Sequence, residues 1–353
     1  MKKIVFPDYT NSSINMIASI KKSFGYTTKY NSLEALDKLL PKKHVGILLL
    51  DGMGMNILKK LPEDSFLRRH LLCEITSTYP STTVAATTSI LTGKTPSETG
   101  WIGWHQYFDS ILDDVILFYG RGFYNDKPYP HITNSIPYDY FFKDMKEQGF
   151  IHGPSYFLDG SNTLVEMLDK LKGDFSEDFK TISYCYWDQP DGLLHKTGTD
   201  SLEVMAMISE FDMVIADFCE SLSEDSCLII TADHGHKDCL EIKINDYPSL
   251  TKYFTKKPSI ESRCCAFYVN DDGFKDEFNR LFGNDFLLLS KEEFINKGFI
   301  GNGDKGNCFL GDYMALAIGD YCLQALDEGP HFKSNHAGLT EEEMIIPLIF
   351  FSK

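Results

Sequence analysis

Residues 45–50, Val-Gly-Ile-Leu-Leu-Leu, carry no polar side chain and run straight into Asp51-Gly52-Met53-Gly54. An unbroken apolar run of this length predicts a strand covered on both faces, as in a parallel sheet sandwiched by helices. A carboxylate at the end of such a strand falls on the carboxyl edge, where open α/β sheets hold their ligands. On this stretch alone, a turn aspartate is the other reading.

The same arrangement recurs along the chain. Residues 73–78 read as a second strand, and they lead to a hydroxyl cluster, Ser81, Thr82 and Thr83, just after Pro80. The small-residue run 83–92 then predicts a helix capped by Thr82 or Thr83 and stopped by Gly93, with its first N–H groups facing a ready anion site. Residues 180–186 form a third predicted strand, delivering Asp188, Asp191 and His195. Asp191 and His195 are four apart, so one helical turn puts both on one face, a spacing that suits two ligands of one ion. Residues 226–232 form a fourth strand, ending in Asp233-His234-Gly235-His236. A buried Asp-His pair must be solvated, mutually bonded or ligated. His336 precedes a terminal strand at 344–351.

Helices are expected at 11–24, 32–40, 54–60, 65–71, 138–148 and 161–172. A long one at 200–222 has apolar positions Leu202, Met205, Ile208, Met213 and Ile215. Beyond it, residues 266–269 read as a strand and 273–282, 291–296 and 313–325 as helices. Trp101 and Trp104 open an aromatic stretch that either stacks over the site or belongs to the core. No linker, low-complexity tract or repeat divides the chain.

Charge narrows the partners. The net charge of −17 and pI near 5.0 argue against binding nucleic-acid duplexes or anionic membranes. Only five arginines are present, Arg68, Arg69, Arg121, Arg263 and Arg280, so a protein handling phosphate here needs positive charge from bound metal. The N-terminal stretch has no signal-peptide core, and no apolar run reaches membrane-spanning length. Nine cysteines without a CxxC pair fit reduced thiols in a cytoplasmic protein.

Three Asp and two or three His at strand ends can converge on one rim. Oxygen and imidazole ligands without thiolate suit zinc, with manganese or iron as alternatives. Two such ions with a hydroxyl between them make a site for in-line displacement at phosphorus. The stretches LLLDGMG, YPSTTVAATTSILTGKTPSETG, DQPDGLLH, TADHG and NHAGLTEEEMIIPL, in this order, resemble the alkaline phosphatase superfamily, and within it the nucleotide pyrophosphatase/phosphodiesterase branch.

The resemblance implies a three-layer α/β/α sandwich with a mostly parallel central sheet. It implies one catalytic domain over 1–353, with cap-like insertions within 101–160 and 237–330. It makes Thr83 the nucleophile. Asp51, Asp233 and His234 would bind one zinc with Thr83, and Asp191, His195 and His336 the other, leaving His236, Asp188 and His331 to outer hydrogen bonding. Thr82 is the fallback nucleophile, and Trp101 and Trp104 are the candidate substrate contacts. Ala86 stands where many relatives have a phosphate-contacting asparagine. The implied activity is hydrolysis of small phosphodiesters or nucleotide pyrophosphates through a phosphothreonine. A phosphomonoesterase, phosphonate hydrolase or phosphomutase on the same fold is the alternative, and a metal-binding sensor is the non-enzymatic one. A sulfatase is disfavoured, since no Cys/Ser-x-Pro-x-Arg sequence exists.

Overall fold

A computed structural model describes every residue except 1–2, 41, 144–148, 158–159, 272, 327 and 330. Six strands form the central sheet: β1 (His44–Leu50), β2 (Leu71–Thr76), β3 (Gly149–His152), β4 (Thr181–Trp187), β5 (Ser226–Thr231) and β6 (Ile345–Ser352). Their spatial order is β2-β6-β5-β1-β4-β3. β1 pairs in parallel with β4 and β5, and β3 with β4. β6 alone is antiparallel to both its neighbours, β2 and β5. The sheet is therefore mixed but mostly parallel, as expected.

Every residue of β1 is buried, which is why no polar side chain interrupts it. Helices α1 (Ser13–Ser23) and α2 (Thr83–Thr92) pack on each other, as do α3 (Leu164–Asp174) and the long helix Leu202–Glu220. With the sheet between them they complete the three-layer sandwich. Along Leu202–Glu220 the buried face is Val204, Ile208, Phe211, Ile215 and Phe218, at alternating spacings of four and three. Leu202 and Met213, expected on that face, are 83% and 62% exposed.

Topology explains the clustering. The ends of β1, β2, β4 and β5 point to one edge because those strands run the same way. β6 runs the other way, so its beginning comes to that edge: Ile345 pairs with Thr76 at the end of β2. Residues just before β6, including His336, therefore arrive where the other strands finish.

A second, seven-stranded sheet lies beside the first. Its order is Phe286–Ser290, Tyr313–Ala317, Cys264–Phe267, Ser259–Ile260, His105–Phe108, Asp113–Ile116, Arg121–Gly122, with all neighbours antiparallel. The two segments expected as separate insertions thus pair into one layer, while β3, inside the first of them, belongs to the central sheet. The helix Gly273–Phe282 covers this layer with Phe274, Phe278 and Phe282, four apart on one face. The helix expected at 313–325 is instead two strands, Tyr313–Ala317 and Tyr321–Gln324. Of the helix expected at 138–148, residues 138–140 are irregular and 144–148 lie outside the described residues.

Candidate active site

Thr83 begins α2, and Thr82 occupies the cap position in extended conformation but makes no capping hydrogen bond. Its hydroxyl donates instead to Glu261 Oε1 at 2.6 Å. Ala86 N makes the first intrahelical bond, to Thr82 O, at 2.9 Å. The N–H groups ahead of it have no helical acceptor and give the Thr83 end of α2 a positive field. Thr83 Oγ1 lies 3.2 Å from His234 Nε2 and 3.5 Å from each Asp51 carboxyl oxygen.

Two groups of ligand-type side chains flank this hydroxyl. Asp51, Asp233 and His234 form one, with His234 Nε2 3.4 Å from both Asp51 Oδ1 and Asp233 Oδ2. Asp191 centres the other: its Oδ1 is 2.6 Å from His236 Nε2, 3.5 Å from His195 Nε2 and 3.7 Å from His336 Nε2. Ligand atoms of Asp191, His234, His236 and His336 all lie within 4.8 Å of one another, as do those of Asp51, Asp233 and His234. His236 is thus nearer to Asp191 than the expected His195, which stands slightly farther out. The rings of His234 and His336 stack at 3.7 Å, bringing the two groups into contact.

Close backbone approach makes this convergence possible. Gly52 has φ +75, and a Cβ there would meet the His236 ring at 2.9 Å. A Cβ on Gly54 would lie 2.4 Å from the Gly235 Cα. The loops after β1 and β5 therefore pack glycine to glycine.

The imidazoles are arranged as ligands. His195 Nδ1 donates to Ser334 O at 2.8 Å, His234 Nδ1 to Gly235 O at 3.1 Å, and His336 Nδ1 to Ser81 O at 3.2 Å. A carbonyl only accepts, so each Nδ1 carries the proton and each Nε2 presents a lone pair inward. His236 Nδ1 meets Ser334 Oγ at 3.0 Å, and that hydroxyl donates to Leu194 O at 2.7 Å. His236 Nε2 is then also an acceptor, 2.6 Å from an accepting carboxylate. Burial holds His236 down at about 4 and His336 well below the ordinary imidazole value.

The carboxyls show the same unmet demand for a cation. Burial, then Asp233 and Asp191, push Asp51 well above the usual range, although the Tyr186 hydroxyl donates to its Oδ2. Burial opposes charge on Asp191 too, but the imidazoles of His195, His236 and His336 hold it well below that range. Asp233 Oδ2 is buried without a hydrogen-bond partner. Acceptors facing acceptors, and a sealed carboxyl oxygen with none, fit divalent metal.

A cavity of about 350 Å³ opens over Thr83, Asp191 and His336. Trp104 lines it; Trp101 does not. The Trp101 indole is buried edge-on to Tyr138 and donates to Ile136 O at 2.8 Å, so it serves the core. His331 is exposed and pairs with Glu241 at 2.6 Å, away from the cluster, and Asp188 lies beside Tyr156. Two groups escaped the sequence reading. Tyr186 was legible, being the last tyrosine of a predicted strand beside the one ending in Asp51. Glu261 had no local signal: it comes from the second sheet, and burial pushes its carboxyl up despite hydrogen bonds from Thr82 and Trp104.

A threonine at a helix start, set between two carboxylate–imidazole groups on the carboxyl edge of this sandwich, is the arrangement of a phosphoryl hydrolase of the alkaline phosphatase superfamily. The chain belongs to the type I phosphodiesterase/nucleotide pyrophosphatase family, whose model matches residues 45–121 and 139–297. The family uses two metal ions. Among solved structures, the chain is similar to murine ectonucleotide pyrophosphatase/phosphodiesterase 5, solved as an inactive threonine-to-alanine variant with AMP: 17% identity over 88% of this chain and 87% of that one, TM-score 0.67. The human counterpart gives 14% identity, 88% of both chains and TM-score 0.65. Phosphonoacetate hydrolase from Sinorhizobium meliloti 1021 with phosphonoformate gives 18%, 88% and 89%, and 0.62. At these identities the likeness concerns the fold. A search of the curated proteins finds no match.

Proposed function

We propose that the protein is a two-metal hydrolase that cleaves phosphodiester or pyrophosphate bonds of small, nucleotide-like substrates through a covalent phosphothreonine at Thr83. The observation that carries this reading is the Thr83 hydroxyl, held 3.2 Å from His234 Nε2 and 3.5 Å from both Asp51 oxygens at the start of α2. Asp51, Asp233 and His234 would hold one ion; Asp191 and His336, with His195 or His236, would hold the other, and zinc suits this donor set. When bound, such ions supply positive charge for the attacking and departing oxygens.

The chain's own residues do the rest. His234 Nε2 and the Asp51 carboxyl, which would hold an ion, face the Thr83 hydroxyl, whose proton passes to solvent as its oxygen turns to phosphorus. The Thr83 oxygen bonds to phosphorus, the ester oxygen leaves with the electron pair of the broken bond, and water then releases the phosphoryl group from Thr83. The inactive threonine-to-alanine variant of the murine relative supports a threonine in this role. Work in the cytoplasm is part of the same proposal. It is supported by nine cysteines that are all free. Among the described residues no helix is long and apolar enough to cross a membrane.

A diester is favoured over a monoester by the absence of a reaching arginine. Arg263 is fully buried, with its guanidinium closed on Glu343 at 2.6 and 2.7 Å and on the carbonyls of Tyr321 and Gly319. Arg121 lies at the surface beside Asp126. Among the described residues no Lys or Arg lines the cavity, and Glu241 and Glu261 add carboxyls to it. Among the described residues no lysine or arginine meets the second negative charge of a monoester. Comparing kcat/KM of the zinc-loaded protein on matched p-nitrophenyl diester and monoester at one pH tests this. The diester should lead by about tenfold or more, some 1.4 kcal/mol of transition-state binding, and a monoester lead of that size overturns it.

A further inference from the structure

The wall of the cavity that faces the metal-type ligands carries a second acid–base pair, built entirely from the other sheet. His105 and Asp114 sit on adjacent antiparallel strands, where His105 pairs with Ile116 and Asp114 lies two residues away on the same face. His105 Nδ1 is 2.5 Å from Asp114 Oδ1, and the two side chains are 9% and 4% exposed. The second Asp114 oxygen is buried without a partner, so the carboxyl is committed to this one contact. Phe123 stacks on the His105 ring at 3.7 Å and 6°, fixing its plane. Backbone pairing to Ile116 on one side and Ile260 on the other fixes its position.

The carboxylate accepts the hydrogen bond from Nδ1–H, leaving Nε2 as the working atom. No described residue hydrogen-bonds Nε2, and His105 lines the same cavity as Thr83, Asp191 and His336. A compact space of 350 Å³ is about 9 Å across, the scale of a phosphate with one small substituent. Besides Asp114, the titratable groups near the ring are Tyr124, edge-on at 6.1 Å, and Glu261. Among the described residues no Lys or Arg lines the walls, and His105 is the one lining imidazole outside the metal-type cluster.

We propose that His105, oriented by Asp114, is the general acid and base of the two half-reactions. The proposal rests on the phosphothreonine reading above. As the bond between phosphorus and the ester oxygen breaks, its electron pair stays on that oxygen, which takes the proton from His105 Nε2. The imidazole is left neutral, with Nδ1–H still on Asp114. In the second half-reaction Nε2 takes a proton from the attacking water, whose oxygen bonds to phosphorus as the bond to Thr83 Oγ1 breaks; the electron pair of that bond stays on Oγ1, which recovers a proton from solvent. This restores the cationic ring. Substrates with poorly departing oxygens, alkyl and sugar esters, are the class that needs such a group.

The test compares methyl phenyl phosphate with methyl p-nitrophenyl phosphate on the zinc-loaded protein, since p-nitrophenolate departs with little need of a proton. In His105→Gln, with metal content and melting temperature checked, the kcat/KM ratio of the p-nitrophenyl to the phenyl ester should rise about tenfold to 100-fold. Added imidazole should pull that ratio back toward wild type in His105→Ala, and Asp114→Asn should raise it by less than His105→Gln does. An unchanged ratio, however far both rates fall, makes His105 a packing residue and overturns the proposal. Wild-type holoenzyme that cleaves neither ester defeats the hydrolase reading, and this one with it.

Discussion

Thr82 and Thr83 are chemically alike, and their partners separate them. Thr82 donates to Glu261, while Thr83 faces His234 and Asp51. Thr83→Ala should therefore lower turnover by about 10³-fold or more with metal content nearly intact, and Thr83→Ser should retain part of it. Thr82→Ala should cost far less. A dead Thr82→Ala beside an active Thr83→Ala, read in single-turnover assays, reverses the assignment. For His236 the expectation concerns affinity. Its Nε2 is 2.6 Å from Asp191, so His236→Ala should weaken zinc binding about 10- to 100-fold in a chelator competition, whether the ring binds metal or orients Asp191. At this scale the sequence was informative wherever a residue sat at a strand end. Asp51, Asp191, Asp233 and His234 were findable because the apolar run before each fixes its place on the rim. Glu261, His105 and Asp114 were not, because the Thr82–Glu261 bond and the His105–Asp114 pair depend on a second sheet whose pairing no local pattern announces.

Among the elements, the turn from His336 into β6 depends on one buried ion pair. Glu343 is fully buried; its carboxyl holds Arg263, accepts from Gly338 N at 2.7 Å and Thr340 Oγ1 at 2.7 Å, and its carbonyl accepts from Gly235 N at 2.9 Å. It ties the loop of His336 to the loop of His234. Glu343→Gln leaves Arg263 buried without its counter-charge and should cost about 3–5 kcal/mol in denaturant unfolding. Burial opposes ionisation of Glu343, but Arg263, Thr340 and Gly338 hold it below the usual carboxylate value. A depressed folded pKa adds stability that is complete above the unfolded value of about 4.3 and is lost as pH falls through the folded one. Melting temperatures at stepped pH should accordingly fall on the acid side in wild type and more shallowly in Glu343→Gln. Elements with a single period were read well: helix Gly273–Phe282 has phenylalanines at four-residue spacing, and β1 has no polar residue at all. Residues 313–325 were misread because a short apolar run fits either state. Pairing of Tyr313–Ala317 with strands on both sides decided it, with Gly319-Asp320 between the two pieces.

Across the whole molecule, the ligand-type residues span positions 51 to 336, so metal binding and folding are linked. Elemental analysis should find about two transition-metal ions per chain. Chelation should abolish turnover and lower the melting temperature, and zinc should restore both; at 100 Kd of free ion one site adds about 2.7 kcal/mol. An active metal-free preparation defeats the reading. The position of β6 carries a consequence for synthesis. It is synthesised after the other five strands of this sheet, yet it sits inside the sheet, between β2 and β5. Until it inserts, β2 has no place beside β5, and His336 is not yet anchored at the rim. A nascent chain stopped before Ile345 thus has two unpaired strand edges and a His336 without its anchor at the rim. The rim is therefore assembled only when β6 pairs, and until then those edges are open to pairing with other chains.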